Sequence, residues 1–144
     1  MSQINVDIVA PQTGVDVTVD GNLIVTGTNS IRPYKVYVAL LGQNSPTSNP
    51  SVEVLENSLG VTLTWTREST GTYLATASSP IFTILKTALF TQVTSTLGGT
   101  YGTHLVTSRD SDTTVYLLTQ VNDDQSTPSD GLLGSTPIEI RVYN

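Results

Sequence analysis

The chain has 144 residues, 38% of them hydrophobic, and a formal net charge of −6 at pH 7 from 12 acidic and 6 basic side chains. This is the length of one domain, and so few, scattered Lys and Arg residues exclude a basic nucleic-acid-binding patch. The absence of cysteine excludes disulfides, thiolate metal sites and a cysteine nucleophile.

No targeting segment is expected. The first five residues have neither the basic nor the apolar region of a secretory signal. The longest apolar stretch, residues 36–41, is far too short to cross a bilayer. We therefore expect a soluble product that is made in the cytoplasm and has no membrane partner.

Apolar and polar residues alternate along most of the chain, as in residues 61–66 (VTLTWT) and 138–142 (IEIRV). Because successive strand side chains point to opposite faces, each alternating run predicts a strand with one buried and one solvated face. In chain order the candidate strands are 4–8, 15–19, 23–28, 34–41, 51–56, 61–67, 72–78, 82–86, 90–94, 105–108, 113–122 and 138–142.

Turn-forming residues separate these runs. Residues 20–22 (DGN) and 68–71 (ESTG) predict two hairpins. Loops are predicted at 42–50, 98–102 and 123–137, which are rich in Gly, Pro, Ser and Asp.

The predicted fold class is all-β: an antiparallel β-sandwich of jelly-roll or Ig-like type with about ten short strands. The nearest helical pattern is residues 81–93, but Thr and Phe in that window favour strands. We expect a single domain over 1–144, in which residues 1–32 form an N-terminal hairpin segment and a candidate attachment arm.

Groups suited to catalysis or metal binding are few. The single histidine, His104, is interpreted as a half-exposed residue at a strand end. Glu53 and Glu56, three apart in one strand, are expected on opposite faces and hence not in one site. Calcium binding is one interpretation of the Asp and Ser residues at 110–112, 123–124 and 130–131. The other, more common role of such residues is to hydrogen-bond their own backbone in turns. We predict no enzyme activity, no catalytic, cofactor-binding or metal site, and no cofactor.

The remaining clues are aromatic and hydroxyl residues. Six tyrosines could form a sugar-stacking platform, although Tyr34 and Tyr37 should face opposite ways. Trp65 should lie in the core. With 24 Thr and 15 Ser in the sequence, the solvated strand faces are poor in charge, which favours close packing against neighbouring subunits.

Several phrases of the sequence carry a resemblance to a known family. They are YKVYVALL at 34–41, VEVLENSLG at 52–60, TWTR at 64–67, TGTY at 70–73, FT at 82–83, KT at 86–87, DGLL at 130–133 and PIEIRVY at 137–143. Over about residues 33–144 the chain resembles a small β module of virion-associated proteins in tailed phages of Bacteroidota hosts, including the crAss-like group.

The resemblance implies a non-enzymatic virion structural protein. Its expected role is a capsid auxiliary (decoration) protein on the outer capsid, made in the host cytoplasm and located in the virion. Expected partners are the major capsid protein or other virion subunits, with a homo-oligomer on the particle and no nucleic acid. The alternative is a glycan- or receptor-binding module of a head or tail fibre. Candidate attachment regions are residues 2–28, 42–50 and 123–137, since loops often carry binding.

Overall fold

The structure, a computed structural model, describes residues 32–92, 103–121 and 127–144. These residues form nine strands and no helix. The strands are β1 (Tyr34–Gly42), β2 (Ser51–Asn57), β3 (Leu63–Ser69), β4 (Thr72–Ala77), β5 (Thr87–Thr91), β6 (Thr103–Arg109), β7 (Thr114–Val121), β8 (Thr127–Pro128) and β9 (Thr136–Tyr143).

Two sheets are formed, and all their pairings are antiparallel. Sheet A has the strand order β2-β1-β9-β5, and sheet B has the order β3-β4-β7-β6, with the short β8 also beside β7. One hydrophobic core draws on both sheets. The all-β sandwich predicted from the alternation is confirmed.

The core follows directly from the period of two along each strand. In β1, residues 37, 39 and 41 are fully buried, while residues 38 and 40 on the other face are half-buried. Trp65 is 5% exposed in β3 and belongs to the core, as predicted. The buried core residues are Tyr37, Ala39, Leu41, Leu59, Trp65, Tyr73, Ala75, Ala77, Phe82, Val115, Leu117, Leu133, Ile138, Ile140 and Val142.

The prediction of a strand at 82–86 is wrong. Phe82 alone enters the core, and its carbonyl oxygen accepts a hydrogen bond from Arg109 Nε at 2.6 Å. Residues 84–86 then form a turn in which Leu85 has a φ of 63°, which no strand residue adopts. The following strand accordingly begins at Thr87 and ends at Thr91, earlier than the predicted 90–94.

One further region differs from the sequence expectation. The predicted loop 123–137 contains β8, which pairs with the end of β7, and the first residues of β9. The predicted strands 4–8, 15–19 and 23–28, the hairpin turn at 20–22, the attachment region 2–28 and the loop at 98–102 lie outside the described residues. The hairpin at 68–71 is confirmed, since it joins β3 to β4 with Gly71 at a φ of 65°.

Candidate interaction surface

One end of the sandwich is held by a group of polar side chains, here called the polar cluster: Gln43, Arg67, Tyr73 and Asp130. Asp130 accepts hydrogen bonds from Arg67 Nη2 at 2.7 Å and Nε at 3.1 Å, and from the Gly71 N–H at 2.9 Å. Its two bonds from one guanidinium make a bidentate pair, the strongest geometry available to these groups. The cluster ties the β3–β4 turn to the segment before β9.

The rest of the polar cluster reaches the loop after β1. The Tyr73 hydroxyl donates to Gln43 Oε1 at 2.6 Å, and Gln43 Nε2 donates to the Ser48 carbonyl at 3.0 Å. The Gly131 N–H donates to the same Gln43 oxygen at 2.7 Å. The loop at 42–50, a predicted attachment region, is therefore fixed from within.

These contacts change the acidity of two groups. The Arg67 guanidinium, with help from the Gly71 N–H, holds the pKa of Asp130 below its usual value, against the opposing effect of burial. Burial, reinforced by the nearby Asp130 charge, raises the pKa of Tyr73 to about 12. Both shifts favour the ionised carboxylate and the neutral phenol that the hydrogen bonds require.

Each of the four arginines in the sequence forms an ion pair with an acidic side chain. The pairs are Arg32–Glu56, Arg67–Asp130, Arg109–Asp112 and Arg141–Glu139. The first three pairs each join a strand residue to a residue outside the strands, whereas Glu139 and Arg141 lie two positions apart within β9.

The outer face of sheet A carries one of these pairs among aromatic rings. The Arg141 guanidinium lies 4.8 Å from the ring centre of Tyr34 and 4.7 Å from that of Phe90. The rings of Tyr34 and Tyr143 are 5.2 Å apart. Sequence reasoning missed this cluster, although strand alternation places residues 139, 141 and 143 on one face. Phe90 remains 46% exposed.

The outer face of sheet B is different and is here called the sheet B face. Strand pairing places these residues together on it: Thr64, Thr66, Thr72, Leu74, Thr76, His104, Val106, Ser108, Thr114, Tyr116, Leu118 and Gln120. None of these paired residues is charged, and Glu68 lies beyond them in the bulge at the end of β3. Half-buried Leu74, Val106, Tyr116 and Leu118 form its centre, bordered by Thr and Ser.

The sequence candidates for catalysis do not converge. His104 is exposed on the sheet B face, and its Nδ1 lies 3.1 Å from Gln120 Oε1.

The expectation that Glu53 and Glu56 face opposite ways is wrong. A β-bulge at Leu55 sets Glu53 opposite Leu40 and Glu56 opposite Val38, so both glutamates share the outer face of sheet A. In a regular strand, residues three positions apart lie on opposite faces, but here the bulge inserts one extra residue between the two glutamates.

The acidic segments serve as turns or ion pairs where the structure describes them. Ser111 Oγ accepts from the Thr113 N–H at 3.2 Å, and Asp112 pairs with Arg109. Asp130 is occupied by Arg67. Within residues 32–92, 103–121 and 127–144, no three His, Cys, Asp or Glu side chains group as metal ligands. Residues 123–124 lie outside the described part.

The five tyrosines among the described residues are distributed over the two sheets and do not form one platform, and Tyr101 lies outside the described part of the chain. Tyr34 lies on the outer face of sheet A and Tyr37 in the core, on opposite faces as predicted. Tyr73 is buried, Tyr116 lies on the sheet B face, and Tyr143 packs beside Tyr34.

Comparison with protein-family models, with curated proteins and with solved structures finds no match to this chain. Within the described residues, no helix has the length and apolar character needed to span a membrane.

Proposed function

We propose that this chain is a non-enzymatic structural protein of a phage virion, bound to the outer capsid as an auxiliary (decoration) protein. The observation that carries a structural role is the sheet B face, a four-stranded outer face whose paired residues bear no charge. The resemblance to virion-associated modules supports a phage capsid as the surface to which this face binds.

The composition of the sheet B face suits burial against another subunit. An exposed strand surface normally carries charged residues, which keep a protein soluble and protect it from unwanted pairing. Burying an unpaired charge in an interface costs roughly several kcal/mol, because the charge loses its contact with water as it would in a protein core. A face with Leu74, Tyr116 and Leu118 at its centre and threonines around them avoids this cost. Threonine hydroxyls can still donate or accept hydrogen bonds across an interface.

The distribution of charge elsewhere supports this orientation. The outer face of sheet A keeps Glu53, Glu56, Glu139 and Arg141, and these suit contact with water. The partner of the sheet B face would be the major capsid protein or another virion subunit. Sheet A would then face outward from the particle.

The test begins with immunogold labelling of purified phage particles, using antibody against this chain. The proposal predicts even labelling over the heads. Particles that lack the protein altogether would refute it. Particles grown with Thr76→Lys, a charge placed on the exposed part of the sheet B face, should carry much less of the protein than wild-type particles.

A second candidate function, glycan or receptor binding on a head or tail fibre, is favoured by one observation. Phe90 is 46% exposed and lies with Tyr34, Tyr143 and Arg141 on the outer face of sheet A, and sugars stack on such rings. Label confined to tails or fibre tips would support this function. So would loss of host-cell binding by Phe90→Lys with unchanged incorporation, whereas Thr76→Lys should do the reverse.

A further inference from the structure

A second surface feature lies away from both faces, at the turn of residues 84–86, here called the tip. Leu85 is fully exposed at 100%, and Ile84 is 65% exposed. Two large aliphatic side chains in water at one turn form a small apolar projection. Isolated exposed apolar residues are ordinary, whereas neighbouring exposed apolar side chains form a contiguous apolar surface of the kind that marks a protein contact.

The backbone of the tip is strained and held in place. The Lys86 N–H donates to the Thr83 carbonyl at 3.2 Å, which puts Leu85 at the third position of a β-turn with a φ of 63°. That position usually takes glycine or asparagine. The Thr87 hydroxyl also bonds the Thr83 carbonyl, and the Tyr143 N–H bonds the Lys86 carbonyl. The tip is presented as a fixed projection.

The other end of sheet A carries a complementary feature, here called the end pocket. It has a volume of about 280 Å³ and is lined by Leu40, Leu41, Val52, Glu53 and Ser135, among others. Leu41 is fully buried, and Val52 is 37% exposed. Ser135 has a φ of 55°, and among the described non-glycine residues only it and Leu85 have positive φ. Backbone strain of this kind is concentrated at sites that bind something.

Strand β9 relates the two features. Thr136, at its start, pairs with Leu41 beside the end pocket, whereas Val142, near its end, pairs with Thr87 beside the tip. Tip and pocket are therefore at opposite ends of one sheet. A second copy displaced along the strand direction would bring its tip to the pocket of the first.

We propose that the occupant of the end pocket is the tip of a second copy of this chain, with Leu85 inserted against half-buried Leu40, whose side chain lies on the same face of sheet A as Glu53. Charge supports this choice of partner. Lys86 follows Leu85 at the tip, Glu53 lies at the pocket, and neither side chain is in an ion pair within the described residues. In the paired copies, ammonium and carboxylate would meet at the rim.

Such a contact joins unlike surfaces, so it repeats from copy to copy and forms a ring or an open row. One side chain in one pocket buries far less than the roughly 1,000 Å² of a stable interface. The self-association is therefore weak and is expected only at high protein concentration. The inference concerns the purified chain alone and does not depend on the capsid proposal.

The experiment is sedimentation velocity of the full chain over a concentration series, with Leu85→Gly as the main variant. Wild type should show a weight-average sedimentation coefficient that rises with concentration, and the variant should stay monomeric. Because glycine suits a positive φ, Leu85→Gly should unfold at the same or a higher denaturant concentration than wild type. Loss of association therefore cannot be attributed to misfolding.

A charge exchange identifies the two surfaces. Lys86→Glu and Glu53→Lys should each abolish self-association, because each puts like charges at the rim. An equimolar mixture of the two variants should recover it, since the tip of each then meets an opposite charge in the pocket of the other. Glu68→Lys, which changes an exposed charge outside the tip and the pocket, is the matched control and should behave as wild type.

Three results would overturn the proposed contact. A wild-type chain that stays monomeric at its highest soluble concentration refutes the contact. Association that survives Leu85→Gly, or a mixture of the charge variants that stays monomeric, assigns any self-association to another surface and also overturns the proposal.

Discussion

The polar cluster and the sheet B face use side chains in opposite ways. In the polar cluster, Asp130 is 10% exposed and bonds Arg67, Gly71 and Tyr73 within the chain. On the sheet B face, paired residues bear no charge, and half-buried Leu74 and Leu118 remain in contact with solvent. The cluster stabilises the fold and leaves little for a partner. Under the proposed function, the sheet B face is instead the surface that meets a partner.

The contrast predicts that substitutions in the polar cluster reduce stability, whereas substitutions on the sheet B face reduce assembly. The largest expected loss of stability is for Gly71→Ala. A Cβ on Gly71 would lie 2.5 Å from the Ser129 nitrogen and 2.6 Å from the Thr119 carbonyl oxygen, and the φ of 65° disfavours any side chain. Strain and clash together should cost about 3 kcal/mol in urea denaturation.

Gly60→Ala is the matched control for the effect of φ alone. Gly60 has a φ of 79°, but nothing lies within 4 Å of the added Cβ. We expect a loss of about 1 kcal/mol. Equal losses for the two variants would show that the close backbone contact at Gly71 does not matter.

The next effect is that of Asp130→Asn, measured as stability against pH. Because its folded pKa is lowered, Asp130 stabilises the protein above its unfolded pKa, about 4, and this contribution is lost as pH falls through the folded value. The variant should lose about 2 kcal/mol near neutral pH, and its stability should vary less with pH below about 4.

Asp112→Asn is the control for this variant, because it also removes a carboxylate paired with arginine. The Asp112 side chain is 72% exposed, and exposed ion pairs contribute little to stability. A pH profile for Asp130→Asn that parallels wild type below pH 4 would mean that another group dominates acid unfolding.

The smallest effect on stability is expected for Thr76→Lys on the sheet B face. Thr76 is exposed and faces outward beside Thr64 and Thr114, so the lysine can extend into water. The free energy of unfolding should stay within about 0.5 kcal/mol of wild type in the same urea assay. A loss approaching that of Asp130→Asn would mean that the face supports the fold, and would remove the contrast between the two regions.

Strand alternation was sufficient to predict the sandwich and much of its core. Trp65, Ile138 and Ile140 were placed correctly because each occurs in a long run of period two. The hairpin ending at Gly71 was also predictable, since glycine supplies the positive φ that the turn needs. The Thr-rich composition foretold a surface poor in charge, but not which sheet would carry it.

Other features depend on contacts between distant residues and left no local signal. The bulge at Leu55 reverses the face of Glu56, and only the pairing with β1 shows it. Residues 82–86 have strand-forming composition, yet Arg109 holds the Phe82 carbonyl and the chain turns at Leu85. The bond between Arg67 and Asp130 joins residues 63 positions apart, which no pattern along the chain indicates.

The position of Trp65 makes it an intrinsic fluorescence probe of unfolding. It is the single tryptophan of the sequence, and it lies in the core between the two sheets. Its emission should be blue-shifted in the native protein and move to longer wavelength when the sheets separate. Every stability comparison above can therefore be followed by fluorescence without a label, and the signal reports the packing of the core around Trp65.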